Sequence, residues 1–127
     1  MARILVVDDD PDMTEACQLV LEQAGHEVLG AHSYQEGMTG VENFKPELLV
    51  LDVMMAEPDD GIAMAQQLRR EGFKAPILML SSINKVAGMQ YDKDNAMVPV
   101  DEFVEKPVPP AALVEKVNKL LGRKEAD

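Results

Sequence analysis

Three consecutive aspartates, Asp8, Asp9 and Asp10, follow the apolar run "ILVV", and a fourth, Asp52, closes "LLVL". Ser81 and Ser82 follow "PILML", and Lys106 follows "EFVE". Each group stands at the carboxyl end of a strand-like run, so folding can gather carboxylates, a hydroxyl and an amine on one rim. Carboxylates held close repel one another, and burial alone raises their pKa values. A hard divalent cation removes the conflict, and Mg²⁺ takes a few carboxylates together with waters and phosphate oxygens. A metal beside a carboxylate, with a lysine and a hydroxyl opposite, suits phosphoryl transfer. The metal and the lysine hold the equatorial oxygens while the carboxylate attacks in line. The product is an acyl phosphate on an aspartate. Asp52 needs such partners, because a charge at the end of an apolar strand costs free energy when nothing pairs with it.

The elements that must position these groups follow from periodicity. "RILVV" (3–7) reads as a buried strand and leads into "PDMTEACQLVLEQAG", where Met13, Ala16, Cys17, Val20, Leu21 and Ala24 recur at helical spacing. Asp10 suits the N-cap, Pro11 the first turn and Gly25 the stop. "EVLGA" (27–31) is a weaker strand, after which Ser33 and Glu36 form a capping-box pattern that opens a helix to about Asn43. Further strands are expected over 47–52, 76–80 and 102–105. A helix from Gly61 to Gly72 turns Ile62, Ala65 and Leu68 inward, and one over 111–122 places Leu113, Val117, Leu120 and Leu121 on one face. Between Ser82 and Val100 only Ile83, Val86 and Met89 hint at a helical face, so the fourth helix is expected to be short or irregular. Strands alternating with helices imply an α/β fold, a five-stranded parallel sheet with helices on both faces. The expected domain spans 1–122, with 123–127 a fraying tail and no output domain.

The totals exclude several function classes. A chain of 127 residues with net charge −11 and no basic stripe is a poor match for direct nucleic-acid binding. The single cysteine, Cys17, cannot form an internal disulfide and sits at core spacing. No apolar run approaches the ~20 residues of a membrane span, and the run before "DDD" is too short for a signal-peptide core. A cytoplasmic protein is expected. His26 and His32 have no acidic or cysteine cluster nearby and read as surface residues.

The motifs "ILVVDDD", "LLVLDVMM", "PILMLSS" and "FVEKPV", in that order, give the whole chain a resemblance to the response-regulator receiver domain, the CheY-like family of two-component signalling. The resemblance implies a flavodoxin-like strand order, 2-1-3-4-5. It assigns Asp52 as the phosphoacceptor and Asp8 and Asp9 as the acidic pair, with Asp9 the direct Mg²⁺ ligand and Asp8 acting largely through water. The Met54 backbone carbonyl would complete the metal shell. Ser81 matches the switch hydroxyl, Phe103 the switch aromatic, Lys106 the family's lysine, and Pro107 the cis peptide that follows it. The implied function is phosphorelay signalling: a phosphoryl group passes from a sensor histidine kinase or phosphotransfer protein to Asp52, and a protein partner reads the result. A receiver is not a turnover enzyme.

Two stretches depart from the family pattern. Four positions after Asp52 stands Ala56 where proline is usual, with Pro58 later and Gly61 displaced by one residue. From Ser81 to Lys106 the chain is longer than usual, and "MVPVDEF" replaces a small-residue pair, so the face many receivers use for dimerisation is expected to be remodelled. Met54 and Ile83 lie two residues beyond Asp52 and Ser81, where bulky apolar side chains would exclude hydrolytic water. Two other readings compete. "DDDPDMT" also suits a haloacid-dehalogenase-like phosphatase with Asp8 as nucleophile and Asp10 as acid/base, but leaves Asp52 and Lys106 unexplained. A receiver-like interaction module that takes no phosphate should have lost at least one of the acidic set, Ser81 or Lys106. A calcium loop over Asp8, Asp10 and Asp12 lacks its glycine, at Met13, and its glutamate, at Leu19.

Overall fold

A computed structural model of the chain describes residues 2–52, 60–82, 100–106 and 109–126, with backbone alone at 81, 82, 103, 105, 106 and 123–126. In chain order the elements are β1 (Arg3–Val7), α1 (Pro11–Gln23), β2 (Glu27–Ala31), α2 (Tyr34–Phe44), β3 (Leu48–Asp52), α3 (Asp60–Arg70), β4 (Ile77–Ser82), β5 (Glu102–Lys106) and α4 (Pro110–Ala126). The strands form one sheet in the order β2-β1-β3-β4-β5, and every pairing is parallel. The expected short fourth helix, and with it that helix's share of the face expected to be remodelled, falls on 83–99, outside the described residues.

The apolar runs are continuous because both faces of the sheet are covered, and successive side chains alternate between them. Leu5, Val7, Leu49, Leu51, Ile77 and Met79 point to one face, where Ile62, Met64, Ala65 and Leu68 of α3 pack with Met38 and Val41 of α2. Ile4, Val6, Leu48, Val50, Leu78 and Leu80 point to the other, against Cys17 and Leu21 of α1 and Leu113, Val117 and Leu120 of α4. The chain leaves β1 toward β2 on one side and returns to β3 on the other. The crevice between the carboxyl ends of β1 and β3 is therefore the switch point where such sheets bind ligands.

Helix ends are fixed by local chemistry. Asp10 caps α1 by accepting from Asp12 N, and Ser33 caps α2 by accepting from Glu36 N. Glu36 Oε1 accepts from His32 N at 3.0 Å, one residue earlier than the usual capping-box partner. Helices α1 and α3 both end in a glycine with positive φ, Gly25 at 97° and Gly72 at 94°. The residue after each glycine closes a wider bond: His26 N donates to Leu21 O, and Phe73 N to Leu68 O. Helix α2 ends instead on Lys45 at φ 53°, and Arg3 donates to the carbonyls of Phe44 and Lys45 that this turn leaves open.

Several expectations need correction. Ala16 and Ala24 are exposed, while Thr14 is buried on the inner face of α1. Strand β3 begins at Leu48, and β4 runs from Ile77 through Ser82, so both serines belong to the strand. The backbone of α4 continues through Gly122 to Ala126, beyond the end expected at 122. His26 is half-buried: its Nδ1 accepts from Ala2 N at 3.2 Å and its Nε2 meets Asn118 Oδ1 at 3.1 Å, tying β1 to α4.

Candidate functional site

Strand β1 delivers Asp8 to the rim one residue beyond its last apolar position. Asp8 N donates to Ala31 O at 3.0 Å, which extends the β1–β2 pairing by one bond. The Asp8 side chain then turns back, and its Oδ1 accepts from Asp10 N at 3.0 Å. Asp10 Oδ1 in turn accepts from Asp12 N at 3.0 Å and starts α1. Two successive short-range bonds thus convert a strand into a helix within a few residues, and Asp9 is left at the apex. Strand β3 brings Asp52 alongside, held in register opposite Leu80 of β4.

Carboxylate oxygens of Asp8, Asp9 and Asp52 all lie within 4.8 Å of one another. Asp8 is 1% exposed and Asp52 5% exposed, while Asp9 is open to solvent. Three hard oxygen donors of one charge sign at this spacing, two sheltered and one facing outward, form a donor set that fits a small hard divalent cation. The exposed Asp9 leaves the outer side of the cluster accessible to water and to an incoming anion.

The remaining expected site residues are reached only through their backbones. Ser81 pairs with Glu105, and Ser82 with Lys106, so the ends of β4 and β5 lie on the carboxyl rim that also carries Asp52. Phe103 pairs with Met79 farther down the same strands. Met54, Ile83 and Pro107 lie outside the described residues. Asp10 is the α1 cap, a role that occupies the side chain the phosphatase reading would use as acid/base.

One residue of the site escaped the sequence reading. Thr14 is 1% exposed, and its Oγ1 stands 3.0 Å from Asp8 O and 3.1 Å from Asp10 O. Its place four residues after the N-cap Asp10 was the available signal, because threonine hydroxyls commonly bond the carbonyl four residues back.

A family model described as "Response regulator receiver domain" matches residues 4–118. The chain belongs to the response-regulator receiver family. Among curated proteins, this receiver is similar to the alkaline phosphatase synthesis transcriptional regulatory protein PhoP of Bacillus subtilis, with 35% identity over 97% of this chain and 50% of that protein. It is also similar to the phosphate regulon transcriptional regulatory protein PhoB of Pseudomonas aeruginosa, with 32% identity over 94% of this chain and 52% of that protein. The chain thus spans about half the length of the curated relatives it matches. Among solved structures, a CheY-like response regulator receiver domain protein from Methanospirillum hungatei superposes with a TM-score of 0.83 at 26% identity, covering 99% of this chain and 98% of that one. Family membership removes the haloacid-dehalogenase reading. Among the described residues no helix is long and apolar enough to cross a membrane.

Proposed function

We propose that this receiver accepts a phosphoryl group on Asp52 from the phosphohistidine of a sensor kinase or phosphotransfer protein, with Mg²⁺ held by Asp8, Asp9 and Asp52. The observation that carries this reading is the carboxylate triad within 4.8 Å at the switch point of the sheet. The bound cation supplies charge neutralisation, lowering the repulsion between the carboxylates and the incoming phosphoryl oxygens. The chain's own residues do the rest. An Asp52 carboxylate oxygen attacks phosphorus, the phosphorus–nitrogen bond to the donor imidazole breaks, and its electron pair leaves with that nitrogen. Burial of Asp52 and Asp8 keeps bulk water from the inner side of the cluster, where charge interactions are then stronger. Lys106, at the end of β5, is assigned to the phosphoryl oxygens, and Ser81, at the end of β4, to the hydroxyl that engages the phosphoryl group. Phe103 on β5 is assigned to the aromatic that reports the change to a protein partner. The cation shell is completed by the Met54 carbonyl in this reading.

Output is assigned to protein–protein contact, because a net charge of −11 opposes direct contact with nucleic acid. The chain works as a signalling component, not as a turnover enzyme. Met54 and Ile83 are assigned to slowing hydrolysis of the acyl phosphate, so the label on Asp52 outlasts seconds in Mg²⁺ buffer; its loss within seconds would remove that assignment. The central reading is tested by intact mass after incubation with acetyl phosphate, with and without Mg²⁺. One added phosphoryl group in Mg²⁺, absent after chelation and absent in Asp52→Asn, supports it. An unmodified wild-type chain in Mg²⁺ refutes it and favours an interaction module that takes no phosphate.

A further inference from the structure

Thr14 makes contacts that none of the site's assigned roles uses. Its hydroxyl has one hydrogen and lies within bonding distance of two carbonyls, Asp8 O at 3.0 Å and Asp10 O at 3.1 Å. Those carbonyls flank Asp9, the solvent-facing member of the triad, on either side. The bond to Asp8 is wholly buried, so water does not compete for it. The methyl group of Thr14 faces the neighbouring strand: a Cβ added to Gly30 would stand 2.6 Å from Thr14 Cγ2, closer than real side chains come. Gln18 Oε1, at 3.5 Å from the same point, is at ordinary contact distance. Gly30 itself is locked in register opposite Val6, in the strand that leads to the acidic loop. The methyl therefore fits only because β2 carries no side chain at this position.

We propose that Thr14 is a positioning residue for the acidic loop, bracing the carbonyls of Asp8 and Asp10, the residues before and after Asp9, and that Gly30 sets the space from which it does so. The inference rests on the reading that Asp8, Asp9 and Asp52 hold a divalent cation. Metal ligands are commonly oriented by a surrounding shell of hydrogen bonds, and loosening that shell lowers affinity without removing a ligand. Thr14 acts on the loop backbone and not on the metal, so its loss should weaken cation binding while leaving the donor set intact. Gly30, on a different strand and bearing no functional group, should influence the same affinity through Thr14 alone.

The test uses Mn²⁺ as the probe, with free ion read by electron paramagnetic resonance on the folded, unphosphorylated chain. Asp9→Asn is the control for the site, and urea midpoints are measured in the absence of metal. Thr14→Val keeps the shape and removes the hydroxyl, and is expected to weaken Mn²⁺ binding about fivefold, the equivalent of one ordinary hydrogen bond. Thr14→Ser keeps the hydroxyl and should stay within about twofold of wild type, inside the range of a small packing change. Gly30→Ala should weaken binding by a similar factor of about five. The double variant Thr14→Ser with Gly30→Ala removes the methyl that the new Cβ would strike, and should recover wild-type affinity. Lowered urea midpoints with unchanged Mn²⁺ affinity in Thr14→Val and Gly30→Ala would overturn the proposal, as would a double variant as weak as Gly30→Ala. A wild-type chain whose Mn²⁺ binding is absent, or is unaffected by Asp9→Asn, would overturn the cation reading and this inference with it.

Discussion

Asp101 stands just before β5, and it clasps the start of β4 from two directions. Its backbone N donates to Ile77 O at 3.0 Å, and its Oδ2 accepts from Ile77 N at 2.8 Å and from Arg69 Nη2 at 3.0 Å. Arg69 also donates to Phe73 O and Ala75 O, so it links the turn between α3 and β4 to the approach to β5. Replacing Asp101 with alanine leaves the N–H of Ile77, a residue with 0% exposure, without its side-chain acceptor. Stranding a buried donor costs about 1–3 kcal/mol. The ion pair adds little, because its side chains are 25% and 39% exposed and solvent screens them; such pairs contribute about 0–1 kcal/mol. Taking the middle of both ranges, the expected total is about 2.5 kcal/mol. Asp101→Asn keeps an oxygen for Ile77 N and loses only the charge, so its expected cost is about 0.5–1 kcal/mol. Urea unfolding followed by far-UV circular dichroism separates the two. With a slope of about 2 kcal/mol/M, alanine should lower the midpoint by about 1 M and asparagine by less than half of that. Equal losses for the two variants would refute the buried-donor reasoning and place the effect in the ion pair. A loss under about 0.5 kcal/mol for alanine would refute the clasp altogether.

Three further outcomes follow from the fold. His26 and Asn118 should show a coupling of about 0.5–1 kcal/mol in a double-mutant cycle read by urea midpoints, since each alanine breaks the same 3.1 Å contact; additive losses would mean that the contact contributes nothing. Gly72→Ala should cost about 1–2 kcal/mol in thermal unfolding, because φ is 94° and nothing lies within 4 Å to clash, so the cost is purely that of the backbone. Gly122→Ala should shift stability the other way, by about 0.5–1 kcal/mol, because this glycine lies inside α4 with open space around it; a destabilised variant would contradict the placement of Gly122 in the helix.

The architecture was legible where burial is symmetrical. "RILVV" and "LLVLD" are continuous apolar runs because parallel strands are covered on both faces, and their ends mark where Asp8 and Asp52 reach the rim. Helix starts were equally plain, since Asp10 and Ser33 satisfy N–H groups within three residues of themselves. Contacts between residues distant in sequence were not legible. Nothing near His26 announces Asn118, 92 positions away, and Asp101 looks like any loop acid until Ile77 N is beside it. Helical spacing grouped Ala16 and Ala24 with the apolar residues of α1, but it cannot tell a small residue at the margin of the stripe from one beneath it. Thr14 took the buried place because its hydroxyl has the Asp8 and Asp10 carbonyls to satisfy it. The apolar spacing set the last helix over 111–122, yet the backbone of α4 runs on to Ala126. In the candidate site, strand ends placed Asp8, Asp9, Asp10 and Asp52 on one rim and the family resemblance singled out the triad, whereas Thr14 was hidden inside a helix that read as simple core packing.

The most direct measurement locates the phosphoryl group itself. After acetyl phosphate and Mg²⁺, borohydride reduces an aspartyl phosphate to homoserine, and peptide mass spectrometry identifies the converted residue. Conversion of Asp52 alone, dependent on Mg²⁺ and abolished by Asp9→Asn, is the expected result. Conversion of Asp8 or Asp9 in its place, or of no aspartate at all, would contradict the assignment of Asp52 as the acceptor.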